Sequence, residues 1–327
     1  MARSSEQRAQ ALWYVAPGKA ELRSEPIGPP ATGEVRVRAI ASALSRGTER
    51  LVFWGRVPES EFERMRAPFM SGTFPFPVKY GYAMVGRVEE GTPDLKGRLV
   101  FALYPHQTVF NLSAENIVAL PDRLLPERAV LAANMETALN ATWDGEAEKA
   151  RRIAVVGAGV LGLLVARLCV KLNRDVTVVD IEPSRADLAR KLGAAFAAPE
   201  TAPAGCDLVV HTSASEAGLA TALRLAAFEA TLLELSWYGA TEVKVPLGGA
   251  FHSQRLRLVS SQVGHVAPSH RAAWTHRQRI EEALRLLDDP VLDALIAPPV
   301  VFGELPKNLP DILNPTSGVL CQLIYYP

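Results

Sequence analysis

Cysteine is scarce: Cys169, Cys206 and Cys321 are the only three in 327 residues. An odd number, wide spacing and no C-x-x-C pair exclude a disulfide framework and a cysteine-rich zinc knot, so a reducing, cytoplasmic setting is expected. Net charge is missing too, since 35 Lys and Arg balance 35 Asp and Glu. With no basic run, neither a nucleic acid nor a membrane surface is expected as a partner. No apolar run approaches the roughly 18 residues of a membrane span. The opening MARSSEQRAQ lacks the apolar core of a secretion signal. No internal repeat or low-complexity segment interrupts the chain. What remains is 48% hydrophobic and 21% charged, a globular composition long enough for two domains.

The informative stretch runs from Arg152 to Asp180, RIAVVGAGVLGLLVARLCVKLNRDVTVVD. A β-branched run leads into Gly157, Gly159 and Gly162, spaced G-x-G-x-x-G. An apolar helix follows, then a second strand ending in Asp180. In this context the first glycine permits the tight turn, the second lets backbone approach a pyrophosphate, and the third lets helix pack on strand. The helix start at Val160 and Leu161 offers free amides and a positive dipole end to phosphate. Asp180 is spaced to bond a ribose 2′-hydroxyl. It would repel a 2′-phosphate, so NAD is expected over NADP, a preference that nearby Arg185 softens.

Around this stretch the periodicity changes twice. Residues 11–130 carry strand-like runs, with a hairpin about Pro17-Gly18 and a short charged helix expected over Glu61–Arg66. A helix is expected over 126–144. From 151 onward strands and helices alternate: helix 183–193, strand 207–212, strand 230–236, strand 255–262 and helix 276–289. Such alternation predicts a parallel sheet covered on both faces. Loops at the strand ends then face the ligand, which places Thr212, Ser236 and Gln262 among the cofactor-binding candidates. The last stretch turns β-rich again, and VLCQLIYY is expected to return to the first domain. The nucleotide domain, residues 127–297, is thus an insertion between 1–126 and 298–327.

This order resembles the medium-chain dehydrogenase/reductase superfamily, which includes the zinc alcohol dehydrogenases. The resemblance spans nearly the whole chain and rests on the glycine loop, SRGTE (45–49), GYAMVGRVEEG (81–91) and METALNA (135–141). SRGTE with FWGRVP is most similar to the branch containing bacteriochlorophyllide dehydrogenase. The resemblance implies an α/β chain, a GroES-like β-rich catalytic domain with an inserted Rossmann domain. It also implies an NAD-dependent oxidoreductase, and a homodimer paired through edge strands of the nucleotide domain, with ATLLELS and its neighbours as candidates.

The metal ligands of that family are not matched. Its G-H-E motif stands here as Gly81-Tyr82-Ala83, and the Cys of its C-x-x-D segment is replaced by Ser45. The four-Cys structural lobe is absent. Zinc wants about four ligands with His or Cys prominent, so no zinc is expected. Glu49, His106 and Glu136 are the only alternative donors that could be assembled.

A positioned acid/base must then serve. Tyr82 stands at the lost His position, His106 follows Pro105 at a strand corner, and Ser45 could bridge to either. Glu136 falls near the third ligand position. The expected activity is zinc-independent hydride transfer between NAD(H) and a secondary alcohol or carbonyl. Alternatives are reduction of an activated C=C bond, as in enoyl and quinone reductases, and a catalytically inactive NAD(H) sensor or scaffold. The substrate is expected to be a small molecule. Phe53, Trp54, Phe74, Phe76 and Tyr82 permit a bulky or aromatic one.

Overall fold

A computed structural model describes residues 7–327. The first six residues of the opening segment read above lie outside it. The chain divides into two compact units, one running to Ala133 and resuming at Leu295–Pro327, the other Asn134–Ala294.

In chain order, β1 (Arg8–Ala16) and β2 (Lys19–Pro26) form the hairpin about Pro17-Gly18. Then come β3 (Glu34–Leu44) and helix α1 (Arg46–Phe53). Strands β4 (Ser71–Gly72), β5 (Val78–Lys79), β6 (Met84–Glu90), β7 (Leu99–Ala102), β8 (Val109–Ser113) and β9 (Ile117–Ala119) follow. Helices α2 (Pro126–Ala129) and α3 (Ala132–Asp144) carry the chain onward. The second unit holds β10 (Arg152–Val156), α4 (Val160–Lys171), β11 (Asp175–Val179), α5 (Ala186–Lys191) and β12 (Ala195–Ala197). It continues through β13 (Cys206–His211), α6 (Glu216–Leu225), β14 (Ala226–Glu234), β15 (Arg257–Ser260) and α7 (His276–Leu286). The return consists of β16 (Ile296–Val301), α8 (Leu305–Ile312) and β17 (Cys321–Tyr325).

The first unit carries two sheets. One has the order β2-β1-β5-β4, and the other runs β16-β17-β3-β6-β7-β9 with β8 also paired to β3. The closing strand β17 lies antiparallel to β3, Leu323 opposite Ala43. Side chains alternate across a strand, and on β3 this buries Val35, Val37, Ala39, Ala41 and Ala43. Arg46 of SRGTE donates to the carbonyls of Ile312 at 2.9 Å and Asn314 at 2.6 Å. That pins the start of α1 to the returning segment.

The second unit is a six-stranded parallel sheet of order β12-β11-β10-β13-β14-β15. Its strands read as continuous apolar runs because helices cover both faces. Val155, Val178, Val209 and Leu232 are fully buried. The chain moves one way from β10 and then returns to β13 on β10's other side. A crevice opens beyond the carboxyl ends of the strands at such a reversal.

Several expectations are corrected. Glu61–Arg66 forms no α-helix, only a 3-10 turn at Glu59–Glu61, because four of its six side chains are charged and Phe62 with Met65 makes too short an apolar stripe to hold a helix. The 126–144 helix breaks between Ala129 and Ala132. The helix over 183–193 is a 3-10 turn at Pro183–Arg185 followed by α5. ATLLELS is enclosed between β13 and β15. The sheet's two edges are β12 and β15, a neighbour of ATLLELS, and on β15 Leu258 and Val259 are exposed. All three cysteines are buried and unpaired, and burial pushes the Cys169 and Cys321 thiols up to about 12. They are therefore inert packing groups.

Candidate functional site

In the second unit the glycine loop follows β10 directly. Gly157 has φ +112, which a side chain would strain, and a β-carbon there would sit 2.6 Å from Thr212 Oγ1. A β-carbon on Gly162 would sit 2.0 Å from the Gly157 carbonyl oxygen, so the helix start packs on the loop as closely as atoms allow. A β-carbon on Gly159 would meet nothing within 4 Å. The middle glycine therefore leaves an open cradle at the start of α4, where the flanking Val160 and Leu161 remain partly exposed. That is the shape a pyrophosphate requires, so the residues fit a dinucleotide.

The strand-end candidates brace this loop. Asp180 accepts from the amide of Ala158 at 2.5 Å and from that of Glu182 at 2.9 Å. Oδ2 thus ties the end of β11 to the glycine loop while Oδ1 closes Asp180's own turn at Glu182, with lone pairs to spare for hydroxyl donors. Thr212 donates to the carbonyls of Val156 and Gly157, at 3.2 and 3.0 Å. Ser236 accepts from the Ala214 amide at 3.0 Å, and Gln262 turns back to its own loop, accepting from Gly264 at 2.6 Å. Arg185 lies at the end of the 3-10 turn beyond Asp180, partly exposed.

Within the first unit, a buried polar cluster gathers around Glu49 on α1. Glu49 is completely buried; His106, Tyr14 and Ser42 are nearly so or fully so. Glu49 Oε2 receives Tyr14 OH at 2.7 Å and lies 3.1 Å from His106 Nε2, while Oε1 receives the Ser45 amide at 2.8 Å. On the other side of the imidazole, Nδ1 is 2.9 Å from Ser42 Oγ, itself 2.9 Å from Tyr326 OH. With a carboxylate as terminal acceptor, one directional assignment satisfies every group: Tyr326 to Ser42, Ser42 to His106, His106 to Glu49. The sequence reading found Glu49 and His106. It missed Tyr14, Ser42 and Tyr326, whose signal was a polar group on an otherwise apolar strand face.

These donors do not fit a metal. A cation here would meet O–H and N–H groups already aimed at Glu49 instead of lone pairs. Among the described residues, no three His, Cys, Asp or Glu side chains converge in a way that could hold one.

Tyr82 remains partly exposed where His106 does not. Burial of its phenol is the main influence and pushes its pKa up to about 12; hydrogen bonds with Ser45 and Thr48 draw it partly back, and the Glu49 charge adds to the rise. The structure thus brings Ser45, Thr48 and Tyr82 together beside Glu49. Glu136 is placed elsewhere, in a buried pair with Arg279 at 3.0 Å inside the second unit. Burial raises its carboxyl above the ordinary value, and the Arg279 charge offsets this in part. Arg279 also donates to Asn140 at 2.6 Å. Of the aromatic candidates, Phe53 and Phe74 are buried in packing against Tyr14 and Tyr80 respectively. Trp54, Phe76 and Tyr82 retain exposure.

No protein-family model matches the chain, and no curated protein matches it in sequence. Solved structures match along nearly its whole length. L-idonate 5-dehydrogenase from Escherichia coli K-12 aligns with a TM-score of 0.79 at 12% identity, covering 98% of this chain and 99% of that one. A short chain alcohol dehydrogenase from Escherichia coli CFT073, complexed with NADH, aligns at 0.77 and 16%, covering 97% and 99%. A Sinorhizobium meliloti 1021 protein assigned as a zinc-binding dehydrogenase, bound to NADP, aligns at 0.77 and 17%, covering 98% and 100%. At such identities the likeness is one of fold: the chain has the medium-chain dehydrogenase/reductase fold, a GroES-like β-rich unit with a Rossmann unit.

Proposed function

We propose that this protein is a nicotinamide-dependent oxidoreductase of the medium-chain type. It interconverts a secondary alcohol and a carbonyl without a catalytic metal. The observation that carries the reading is the open Gly159 cradle beside Asp180, in a chain whose Glu49 cluster is closed to cations by its own donors. When bound, the nicotinamide supplies or accepts the hydride. The chain's residues do the rest. The glycine loop seats the pyrophosphate, Asp180 accepts from a ribose hydroxyl, and Tyr82 donates a hydrogen bond to the carbonyl oxygen. Ser45 and Thr48 orient that phenol. His106, with both ring nitrogens engaged inside the cluster, holds Glu49 and the start of α1 in place.

Fold relatives bind either NADH or NADP; Asp180 favours NADH here by accepting a 2′-hydroxyl and repelling a 2′-phosphate. Asp180→Ala is expected to weaken NADH about tenfold, the value of a hydrogen bond to a charged group, and to narrow the gap to NADPH. Fluorescence titration with both cofactors measures this, and an unchanged NADH/NADPH ratio would remove Asp180 from cofactor choice.

The overall reading is tested by titrating purified protein with NADH and then assaying turnover on a panel of ketones, aldehydes and activated alkenes. Absence of NADH binding at millimolar concentration sinks it. Binding without turnover on any of the panel would favour a nucleotide sensor, and turnover only on alkenes would favour C=C reduction. Chelator treatment is expected to leave activity unchanged, with zinc well below one per chain by elemental analysis. Stoichiometric zinc would overturn the metal-free account.

A further inference from the structure

Tyr80, in the link between β5 and β6, is a second phenol beside Tyr82, with Gly81 between them. Gly81 has φ +123, and a β-carbon there would sit 2.7 Å from His106 Cδ2 and 2.8 Å from its Nε2. Only a glycine lets the backbone lie this close to the imidazole. Tyr80 and Tyr82 therefore flank, along the chain, the point where His106 Nε2 meets Glu49 Oε2. The start of the link is anchored as well. Lys79 donates to Glu25 at 2.8 Å and to Gln107 at 2.9 Å, and the His106 amide donates to the Tyr80 carbonyl at 3.3 Å. The Tyr80 ring meets Tyr82 edge-on, with centroids 6.0 Å apart, and packs against Phe74 at 5.8 Å. Backbone and ring are thus both held.

The hydroxyl is what sets Tyr80 apart. The residue is 2% exposed, and a buried phenol ordinarily finds a hydrogen-bond partner. Tyr14 finds Glu49, and Tyr326 finds Ser42. Among the described residues, none is partnered with the Tyr80 hydroxyl. Nor is that oxygen sealed in: the buried side-chain N or O lacking both solvent contact and a partner is Arg174 Nε, so the Tyr80 oxygen still reaches solvent. Its neighbours say where. The Tyr82 phenol and the Glu49 charge both act on it, and Tyr80 and Tyr82 both act on Tyr14. Three phenols therefore gather about one carboxylate, and Tyr80 offers a free O–H there.

A fixed, unpartnered donor at the edge of the site suits an acceptor that gains negative charge. Hydride transfer to a carbonyl carbon moves the C=O pair onto oxygen, which takes a proton from Tyr82; solvent returns a proton to that phenol. The same oxygen has a second lone pair for a donor that keeps its proton. Two hydroxyls bonded to one oxygen stand no more than about 5.5 Å apart, a separation that rings in edge contact allow.

We infer that Tyr80 is a further catalytic residue, whose hydroxyl donates a hydrogen bond to the same substrate oxygen as Tyr82 and stabilises the charge developing on it. The inference rests on the carbonyl reading given above. Its test is Tyr80→Phe, which removes one oxygen and keeps the ring packing. With ketone and aldehyde substrates, kcat is expected to fall about tenfold to a hundredfold, the lower end of what one oxyanion donor contributes, because Tyr82 remains. KM is expected to change less than about threefold and NADH affinity less than about twofold, since the bond strengthens only as charge develops. The melting temperature is expected to hold or rise, because the deleted hydroxyl has no partner in the protein. A kcat within about threefold of wild type overturns the inference. So does a fall of several degrees in melting temperature, which would mean that the hydroxyl serves the fold. Those outcomes leave an active wild type and remove Tyr80 alone. A wild-type protein that binds NADH yet turns over no carbonyl removes the proposed function, and this inference with it.

Discussion

Tyr82→Phe is expected to lower turnover about 10²- to 10⁴-fold, the contribution of a positioned proton donor, while NADH affinity stays within about twofold of wild type. The asymmetry follows from where each job is done. Cofactor grip belongs to the glycine loop and Asp180 of the second unit, whereas Tyr82 belongs to the first. The substitution removes one oxygen from a partly exposed ring and leaves Ser45, Thr48 and the packing in place. Because the phenol is pushed up to about 12, chiefly by burial, it is neutral throughout the physiological range. It can therefore donate to a carbonyl but cannot act as a standing base. The sign fixes the pH profile: the donor form is present below that value and lost only as pH rises through it. Carbonyl reduction should thus show no descending limb near pH 10, where an ordinary tyrosine would titrate. Steady-state rates from pH 6 to 10.5 on wild type and Tyr82→Phe check both statements. Turnover of the variant within threefold of wild type would return Tyr82 to a packing role.

The two units differ in how much of them could be read beforehand. In the nucleotide unit, function and fold make the same demands on neighbouring residues. Gly157, Gly159 and Gly162 are needed by the turn and by the ligand alike, and the apolar runs of β10, β11 and β13, each within thirty or so residues of the next, announce a parallel sheet. Local spacing therefore carries the site. The first unit offers no such coincidence. Tyr14, Ser42, Glu49, His106 and Tyr326 come from two strands, a helix, a bend and the segment just past β17, spread across the whole chain, and nothing local in YVAPG or IASAL says that they converge. His106 looked suited to proton exchange because it follows a proline corner. Its burial between Ser42 and Glu49 is a tertiary fact. Glu136 shows the same limit, since its partner Arg279 lies far along the chain. The His211–Glu234 pair of the second unit, 2.7 Å apart, had one signal, an acid inside the apolar run TLLELS, but its partner strand could be named only once the order β13-β14 was known.

Glu49→Ala is expected to destabilise the first unit by about 3–5 kcal/mol, as removal of one member of a buried charged network does. For a unit of this size that corresponds to a fall in melting temperature of roughly 10 °C. The lost carboxylate is only part of the cost. Its removal leaves the Tyr14 hydroxyl, the His106 Nε2–H and the Ser45 amide buried together with no acceptor, and each such orphan costs about 1–3 kcal/mol. A second substitution separates that cost from simple packing loss. Tyr14→Phe alone deletes a satisfied donor and should cost about 1 kcal/mol. In the Glu49→Ala background it deletes an unsatisfied one, so the double variant should be no less stable than Glu49→Ala and up to about 1–2 kcal/mol more stable. Strict additivity in thermal or urea unfolding would mean that Tyr14 and Glu49 do not act as one network. The same experiment bears on catalysis, because the Ser45 amide held by Glu49 opens α1, and Ser45 and Thr48 there set the phenol of Tyr82. Loosening the cluster should therefore lower turnover in Glu49→Ala at temperatures where the unit is still folded, with NADH affinity retained.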